Sequence, residues 1–466
     1  NEVNTLKDIC DEIFGRSNFV AELIWAAGRK NDSKYISVSH EYILCYFRNS
    51  DYIKENKIIW RERKQGLDDI YAEYENLKKI YGTDYEQMTK EMKLWYKNLP
   101  DGHPAKDHSH YNRVDGKGVY FPDNISWPGG GGPKYEVLHP VTHKPVKVPS
   151  RGWLTNEKTM KEWIEQGRVE FGKDENGVPT LKSYLKDREY TVPYSVFYKD
   201  GRAASKRLAT LMGDKVFENP KDEEIIERLI EFCGVSDGDY ILDFFSGSGT
   251  TAHASFLANI MQQKNRHFIL VQIPEEISEK NATSEKSKKV VKSAINLCDN
   301  LGVAHTICEI GKERIRRAAR KISEDHPYAV FDGGFRVLKC DSSNMKDIYY
   351  TPSETQQSLF DTYADNIKED RTPEDLLFQV MLDLGVLLSS KIEETTIAGK
   401  QVFNVADGFL IACFDKDVTE ETVKAVAEKK PYYAVFRDSS MANDSVATNF
   451  NQIFASISPE TVRKVL

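Results

Sequence analysis

Helical spacing and strand-like apolar runs divide the chain into blocks. Leu6, Ile9, Ile13 and Phe14 recur at helical intervals, so Glu2 to Phe14 is predicted as an amphipathic helix. Phe19 to Trp25 and Tyr42 to Phe47 are strand-like runs on either side of a polar loop containing Arg29, Lys30 and Lys34. Residues 51–100 are charged and tyrosine-rich, with Tyr71, Tyr74, Leu77, Ile80 and Tyr81 forming a helical stripe that suits an ordinary core face. From 101 to 200 the pattern breaks up into glycines, prolines, histidines and aromatics. Trp127 to Pro133 excludes regular structure, and only short strands such as Lys134 to Leu138 and Val169 to Phe171 fit between turns. From 326 onward a third pattern begins: an apolar helix over Pro373 to Leu388, strands at Gln401 to Asn404, Phe409 to Phe414 and Tyr432 to Arg437, and helices at Val418 to Glu428 and after Asn443. That is a small α/β module with no catalytic cluster.

The block 201–325 carries the chemistry. Lys206 to Phe217 precedes Asn219-Pro220-Lys221, Glu223 to Phe232 is amphipathic, Thr306 to Ala319 is expected as a helix and Phe268 to Gln272 as a strand. Between them an apolar run, Tyr240-Ile241-Leu242, leads into Asp243-Phe244-Phe245-Ser246-Gly247-Ser248-Gly249-Thr250-Thr251 and then a helical pattern, Ala252 to Ala258. This is a strand, a tight glycine turn and a helix start. Such a turn lets backbone approach a ligand closely, and the helix N-terminus offers N–H groups to an anion. Asp243 at the strand end suits a cationic amine. A ligand with an ammonium and a carboxylate, such as S-adenosylmethionine, matches both ends. Two other readings stand beside it. Gly247 to Ala252 fits the G-x-G-x-x-A pattern of dinucleotide folds, but the second strand ends in Gln272 where that pattern wants an acid. A glycine turn with only a structural role is the other.

Composition narrows the class. Hydrophobic content of 40% and charged content of 29% are those of a globular protein, and 466 residues allow roughly three domains. No apolar run approaches the length of a membrane span, and the first residues lack the basic start and apolar core of a signal peptide. The seven cysteines lie outside metal-ligand spacing, so neither a disulfide framework nor a zinc site is expected and a reducing cytoplasm is the default. His103, Asp107, His108 and His110 share a polar loop better read as solvated than as a metal site. Net charge is −8, yet from His143 to Lys215 there are 15 Lys and Arg against 10 Asp and Glu. A basic middle within an acidic chain is compatible with a DNA-facing segment. Arg151 and Trp153 there, with Arg29, Lys30 and Lys34 earlier, are the candidate DNA contacts.

Several stretches together resemble the modification (methyltransferase) subunit of type III restriction–modification systems, a β-class adenine-specific DNA methyltransferase. They are Asn18 to Trp25 with Ser39 to Leu44; Leu138 to Thr142 with Val148 to Trp153; Ser205 to Leu208 leading into Phe217-Glu218-Asn219-Pro220-Lys221; Asp243 to Thr251; Ile310 to Ile315; and Asp370 to Leu377. The likeness runs along nearly the whole chain, with the recognition region before the glycine loop. It implies an α/β fold: a Rossmann-like S-adenosylmethionine-dependent methyltransferase domain, an inserted target-recognition region and a small C-terminal α/β module. Residues 1–50 would belong to the catalytic half, 51–200 to DNA recognition, 201–325 to the cofactor-binding half and 326–466 to oligomerisation or partner binding. Asp243 would bind the methionine amine, Phe244 and Phe245 would flank the cofactor, Ser246 to Thr251 would hold the carboxylate, Asn219 and Lys221 would close the pocket, and Gln272 would lie near the ribose. The resemblance also implies double-stranded DNA, a second copy of the chain and a helicase–nuclease restriction subunit as partners.

The chain departs from that family at one decisive point. The tetrapeptide Asp-Pro-Pro-Tyr does not occur in it. An exocyclic adenine amine is a poor nucleophile until a carboxylate and a carbonyl accept its hydrogens and an aromatic holds the flipped base. The motif is expected upstream of Asn1, with its N-terminal strands, so the chain reads as a fragment that binds cofactor weakly or not at all and does not turn over. Asp222 stands where a second proline is frequent. A non-catalytic DNA-specificity module and, below it, a nicotinamide oxidoreductase are the competing functions.

Overall fold

The computed structural model describes residues 2–27, 34–346, 367–437, 441 and 444–466. They form two compact units, Asn1–Phe335 and Arg336–Leu466.

The first unit opens with α1 (Val3–Phe14), β1 (Phe19–Ala26) and β2 (His40–Tyr46). β1 and β2 pair antiparallel, with Ile24 opposite Tyr42. The chain then makes a long excursion through α2 (Ser50–Glu55), β3 (Glu62–Arg63), α3 (Leu67–Tyr81), α4 (Tyr85–Asn98), β4 (Arg113–Asp115), β5 (Gly118–Asp123), α5 (Glu157–Glu165), β6 (Val169–Glu170), β7 (Thr180–Tyr184) and β8 (Tyr190–Thr191). It returns as β9 (Val196–Tyr198), which pairs parallel with β1, so the sheet order is β2-β1-β9. Within the excursion, the predicted tyrosine stripe buries Tyr74 and Leu77 of α3 against Met88, Met92 and Tyr96 of α4. The sheet β4-β5-β7-β6 packs beside it. A second core gathers Ile125, Val137, Val146, Trp153 and Met160. The strand expected at Lys134 to Leu138 does not form; only Leu138 makes an isolated bridge, to Pro145. Pro133 and Pro140 flank that stretch, and proline cannot donate to a ladder.

After β9 come α6 (Gly201–Met212), α7 (Glu223–Phe232), β10 (Tyr240–Asp243), α8 (Thr250–Gln262), β11 (His267–Leu270), α9 (Glu285–Leu301) and α10 (Ile307–Asp325). β10 and β11 pair parallel, with α8 as the crossover. One face of this strand pair packs on helices: Ile241 joins Ile230 of α7 and Ala254 of α8, while Phe268 and Leu270 join Phe256. On the other face Tyr240, Leu242, Ile269, Val271 and Ile273 are exposed.

The second unit is a five-stranded sheet of order β12 (Ile392–Ile397), β13 (Lys400–Val405), β14 (Leu410–Cys413), β15 (Tyr433–Phe436), β16 (Val462–Val465). The pairs β12–β13 and β13–β14 are antiparallel, β14–β15 and β15–β16 parallel. Helix α11 (Pro373–Asp383) buries Leu376, Leu377, Val380 and Met381 against Phe403, Leu410 and Val435. It starts where Thr372 and Asp375 form a reciprocal cap with Pro373 at the first position. Helices α12 (Glu420–Glu428) and α13 (Asp444–Ile457) bury Val423, Val426, Phe450 and Phe454 in a separate cluster with Ile411 and Phe436.

Candidate functional site

The glycine turn sits at the carboxyl end of β10, held by the second strand and by α10. Gly247 (φ 51°) and Gly249 (φ 74°) adopt the left-handed region, which glycine reaches without penalty. The Gly249 N–H closes the turn onto the Ser246 carbonyl at 2.8 Å, and the Ser246 N–H donates to the Val271 carbonyl at 3.2 Å. A Cβ on Gly249 would lie 3.2 Å from the Gly311 carbonyl oxygen, and one on Gly311 would lie 3.4 Å from that of Gly247. Backbone of α10 therefore rests directly on backbone of the turn.

Asp243 faces this turn. Its Oδ1 accepts from the Phe245 N–H at 3.1 Å and its Oδ2 from the Thr251 hydroxyl at 2.6 Å. Each carboxylate oxygen keeps a lone pair for a cationic partner. Helix α8 begins at Thr250 after Gly249, which has no side chain to cap it, so its first-turn N–H groups are not met by a neighbouring side chain. Phe244 and Phe245 stand out beside it, 61% and 81% exposed, their rings 5.1 Å apart. Ser248 and Thr250 turn the other way: both hydroxyls accept from Arg314 Nη1 of α10, at 2.9 and 2.7 Å.

Gln272, expected near a ribose, braces the turn. Its Oε1 accepts from the Gly247 N–H at 2.7 Å, and its amide donates to the Ile273 carbonyl at 3.0 Å. Asn219 is exposed, and Lys221 ion-pairs with Glu41 of β2. The residue of that segment that meets the turn is Phe217, whose ring tip lies 3.6 Å from where a Gly247 Cβ would be. Sequence reasoning named Phe217 only as part of a matching stretch and gave Arg314 no role, because a helix rich in arginine reads as a solvated face, although Arg314 is fully buried.

Beneath the turn lies a buried ionic cluster. Arg314 Nη2 reaches Glu223 Oε2 at 3.4 Å; Arg207 of α6 donates to Glu223 Oε1 at 2.5 Å and to Asp222 Oδ1 at 2.7 Å. Burial pushes the Asp222 carboxyl above its ordinary pKa. Burial opposes ionisation of Glu223 too, but the Arg207 hydrogen bond and the two guanidinium charges outweigh it and hold that carboxyl below its usual value. Burial lowers the Arg314 pKa to about 10 and that of His253 on α8 to about 4, so near neutrality Arg314 is charged and His253 neutral.

Of the expected DNA contacts, Arg29 and Lys30 lie outside the described residues. Lys34 sits 5.5 Å above the Tyr35 ring, and Arg151 is exposed. Trp153 is a correction. It is 0% exposed, its Nε1 donates to the Tyr135 carbonyl at 2.9 Å, and its ring belongs to a core, so it presents nothing to a partner. The exposed aromatic is Trp127, 42% accessible, on a loop zipped to the Arg151 segment by Trp127 N–H to Gly152 carbonyl and Gly132 N–H to Arg151 carbonyl bonds. The two loops touch so closely that a Cβ on Gly152 would fall 2.1 Å from the Gly132 carbonyl oxygen. The histidine loop holds no metal set: among the described residues no group of three or more His, Cys, Asp or Glu could bind an ion. Among them, too, no helix is long and apolar enough to cross a membrane.

Comparison with known proteins follows the same lines. Residues 1–284 match the family described as DNA methylase, and the chain belongs to that family. Its sequence is similar to type III modification subunits. The Type III restriction-modification enzyme EcoP15I Mod subunit of Escherichia coli is 32% identical over 440 residues, covering 92% of this chain and 61% of that protein. The StyLTI Mod subunit of Salmonella typhimurium is 30% identical, covering 78% and 45%, and the EcoPI Mod subunit of Escherichia phage P1 is 27% identical, covering 92% and 62%. The chain thus spans between 45% and 62% of the length of these relatives. The family match leaves the dinucleotide reading of Gly247 to Ala252 without support.

Proposed function

We propose that this chain carries the S-adenosylmethionine-binding half and the DNA-recognition region of an enzyme that methylates the N6 amine of adenine at specific DNA sites in a type III restriction–modification system. The observation that carries it is the pairing of Asp243, a carboxylate with spare lone pairs, with an uncapped helix start across a glycine turn. That donor set fits the ammonium and carboxylate of a methionine. When bound, the cofactor supplies an electrophilic methyl group on its sulfonium. The chain's own residues bind and orient: Asp243 takes the amine, the N–H groups of Ser246 to Thr251 that are not bonded within the turn take the carboxylate, Phe244 and Phe245 exclude water on the open side, and Asn219 and Lys221 border the site. Gln272 supports the turn. Asp-Pro-Pro-Tyr is absent from the 466 residues, so methyl transfer is proposed for the whole protein, and cofactor and DNA binding for this chain.

In this reading the α/β domain is Rossmann-like, assembled from residues 1–50 and 201–325. Residues 51–200, leaving the sheet at β2 and re-entering at β9, are the target-recognition insertion. Arg151, with Lys34, Arg29 and Lys30, contacts double-stranded DNA, and Trp127 takes the place first given to Trp153. The module 326–466 serves a second copy of the chain or a helicase–nuclease restriction subunit, in the cytoplasm. The test is binding of S-adenosylmethionine to this chain by calorimetry, and transfer of its labelled methyl group to unmethylated DNA by the whole protein, each comparing wild type with Asp243→Ala. Loss of both in the variant is expected. Selective DNA binding with no cofactor affinity in the wild type would instead favour a DNA-specificity module, to which the missing tetrapeptide also points.

A further inference from the structure

We infer that Arg314 is a positioning residue that makes the two walls of the proposed cofactor site a single mechanical unit; the inference rests on that reading of the site. One wall is the glycine turn, the other the segment 217–222 that leads into α7. Arg314 is 1% exposed and spends one guanidinium nitrogen on the hydroxyls of Ser248 and Thr250, at 2.9 and 2.7 Å. Its other terminal nitrogen reaches Glu223 at 3.4 Å. Glu223 and Asp222 are shared with Arg207, and Asp222 caps α7 by accepting from the Glu224 N–H at 3.0 Å. Phe217 occupies the space beside Gly247, its ring tip 3.6 Å from the position a Cβ there would take. A planar guanidinium can serve three acceptors in fixed directions, whereas an ammonium cannot span them from the same place. Every acid of the cluster has a cationic partner: Arg207 pairs with Asp222, Glu223 and Glu224, Arg314 with Glu223, and Lys199 with Glu224 at the more exposed edge, which lets the inner groups stay buried. Each wall has a support of its own, Arg207 under one and Gln272 under the other, but Arg314 is the side chain that ties the two together, and displacing it loosens both.

Amide hydrogen exchange on the full chain tests this without any ligand. In Arg314→Ala, exchange at 217–222 and at 244–251 is expected to rise at least tenfold together, while Arg336–Leu466 stays at wild-type rates as the internal control. Arg314→Lys is expected to behave like Arg314→Ala, and guanidinium added to Arg314→Ala is expected to restore protection. If Arg314→Ala does not fold, Glu223→Gln serves, with exchange expected to rise in both segments by about threefold. Wild-type rates at 217–222 in the variant that folds, or wild-type protection of both segments in Arg314→Lys, overturn the coupling. Titration with S-adenosylhomocysteine separates the two ideas. Asp243→Ala should lose affinity and keep protection; Arg314→Ala should lose both. If Asp243→Ala binds as well as wild type, the cofactor reading fails whatever the exchange shows. If Asp243→Ala loses affinity and Arg314→Ala does not, the positioning role fails alone.

Discussion

Two tryptophans some twenty-five residues apart show how much of a residue's role its type leaves open. Trp127 and Trp153 both lie in a stretch of glycines, prolines and basic side chains, and either suits contact with DNA by composition. Only the fold separates them: one indole is locked into a core with its N–H bonded to Tyr135, the other stands on a loop rim beside Arg151. Trp153→Ala should cost about 3–5 kcal/mol of stability through cavity formation and a lost buried partner. Trp127→Ala should leave stability within about 0.5 kcal/mol. If the rim meets DNA, losing a stacked contact worth about 1–3 kcal/mol should weaken binding by roughly five- to 150-fold. Denaturant melts and fluorescence-anisotropy titrations with duplex DNA check the pair; DNA affinity unchanged in Trp127→Ala would remove that loop from the interface. Asp243 was legible because its spacing to the glycines is local. Arg314 was not, because its partners lie 64 to 91 positions away.

Some elements with a strong period were legible almost to the residue, while Pro373 to Leu388 overshoots α11 and Thr306 to Ala319 stops six residues short of the end of α10. The predicted helix Glu223 to Phe232 is α7 itself, and Glu2 to Phe14 differs from α1 by one residue. The strands that went unread are polar or short. β12, Ile392–Ile397, is mostly charged and hydroxylated, and β16, Val462–Val465, carries Arg463 and Lys464 with all four residues exposed. Both are edges, where charge discourages further pairing and hides the apolar signal. Helix α7 also shows what its amphipathic face costs. Glu227 is held among Glu223 and Glu231; burial first, and those like charges next, raise its pKa to about 7. A carboxyl whose folded pKa lies above its unfolded value contributes stability that is complete below the unfolded pKa and lost as pH rises through the folded one. Stability attributable to Glu227 should therefore decline between about pH 4.5 and pH 7. Glu227→Gln should raise the Tm at pH 8.5 by a few degrees, on the order of 1–3 kcal/mol, and change it little at pH 5. Calorimetric scans at the two pH values decide it; an equal shift at both would assign the effect to packing instead of charge.

On the scale of the molecule, the pairing of β9 with β1 joins residues about 170 positions apart and could not be read from any window of the chain. The order of the blocks could, because composition changes sharply where the excursion begins and where the last pattern starts. That last pattern has a physical basis of its own. The sheet β12 to β16 is covered by α11 and by the α12–α13 pair, and its two apolar clusters draw only on residues from 345 to 466. A sheet buried on both faces with its own helices meets the requirement for independent folding. The two units should then unfold as separate cooperative transitions, and residues 336–466 expressed alone should give a folded protein with a sigmoidal denaturant curve. The midpoint of the isolated piece should match one of the two transitions of the whole chain, because a unit that carries its own core does not need the other to reach its native state. A single transition for the chain, together with an isolated piece that shows no cooperative melt, would mean that 336–466 depends on the first unit for folding, and that its role in the enzyme cannot be tested by moving it elsewhere.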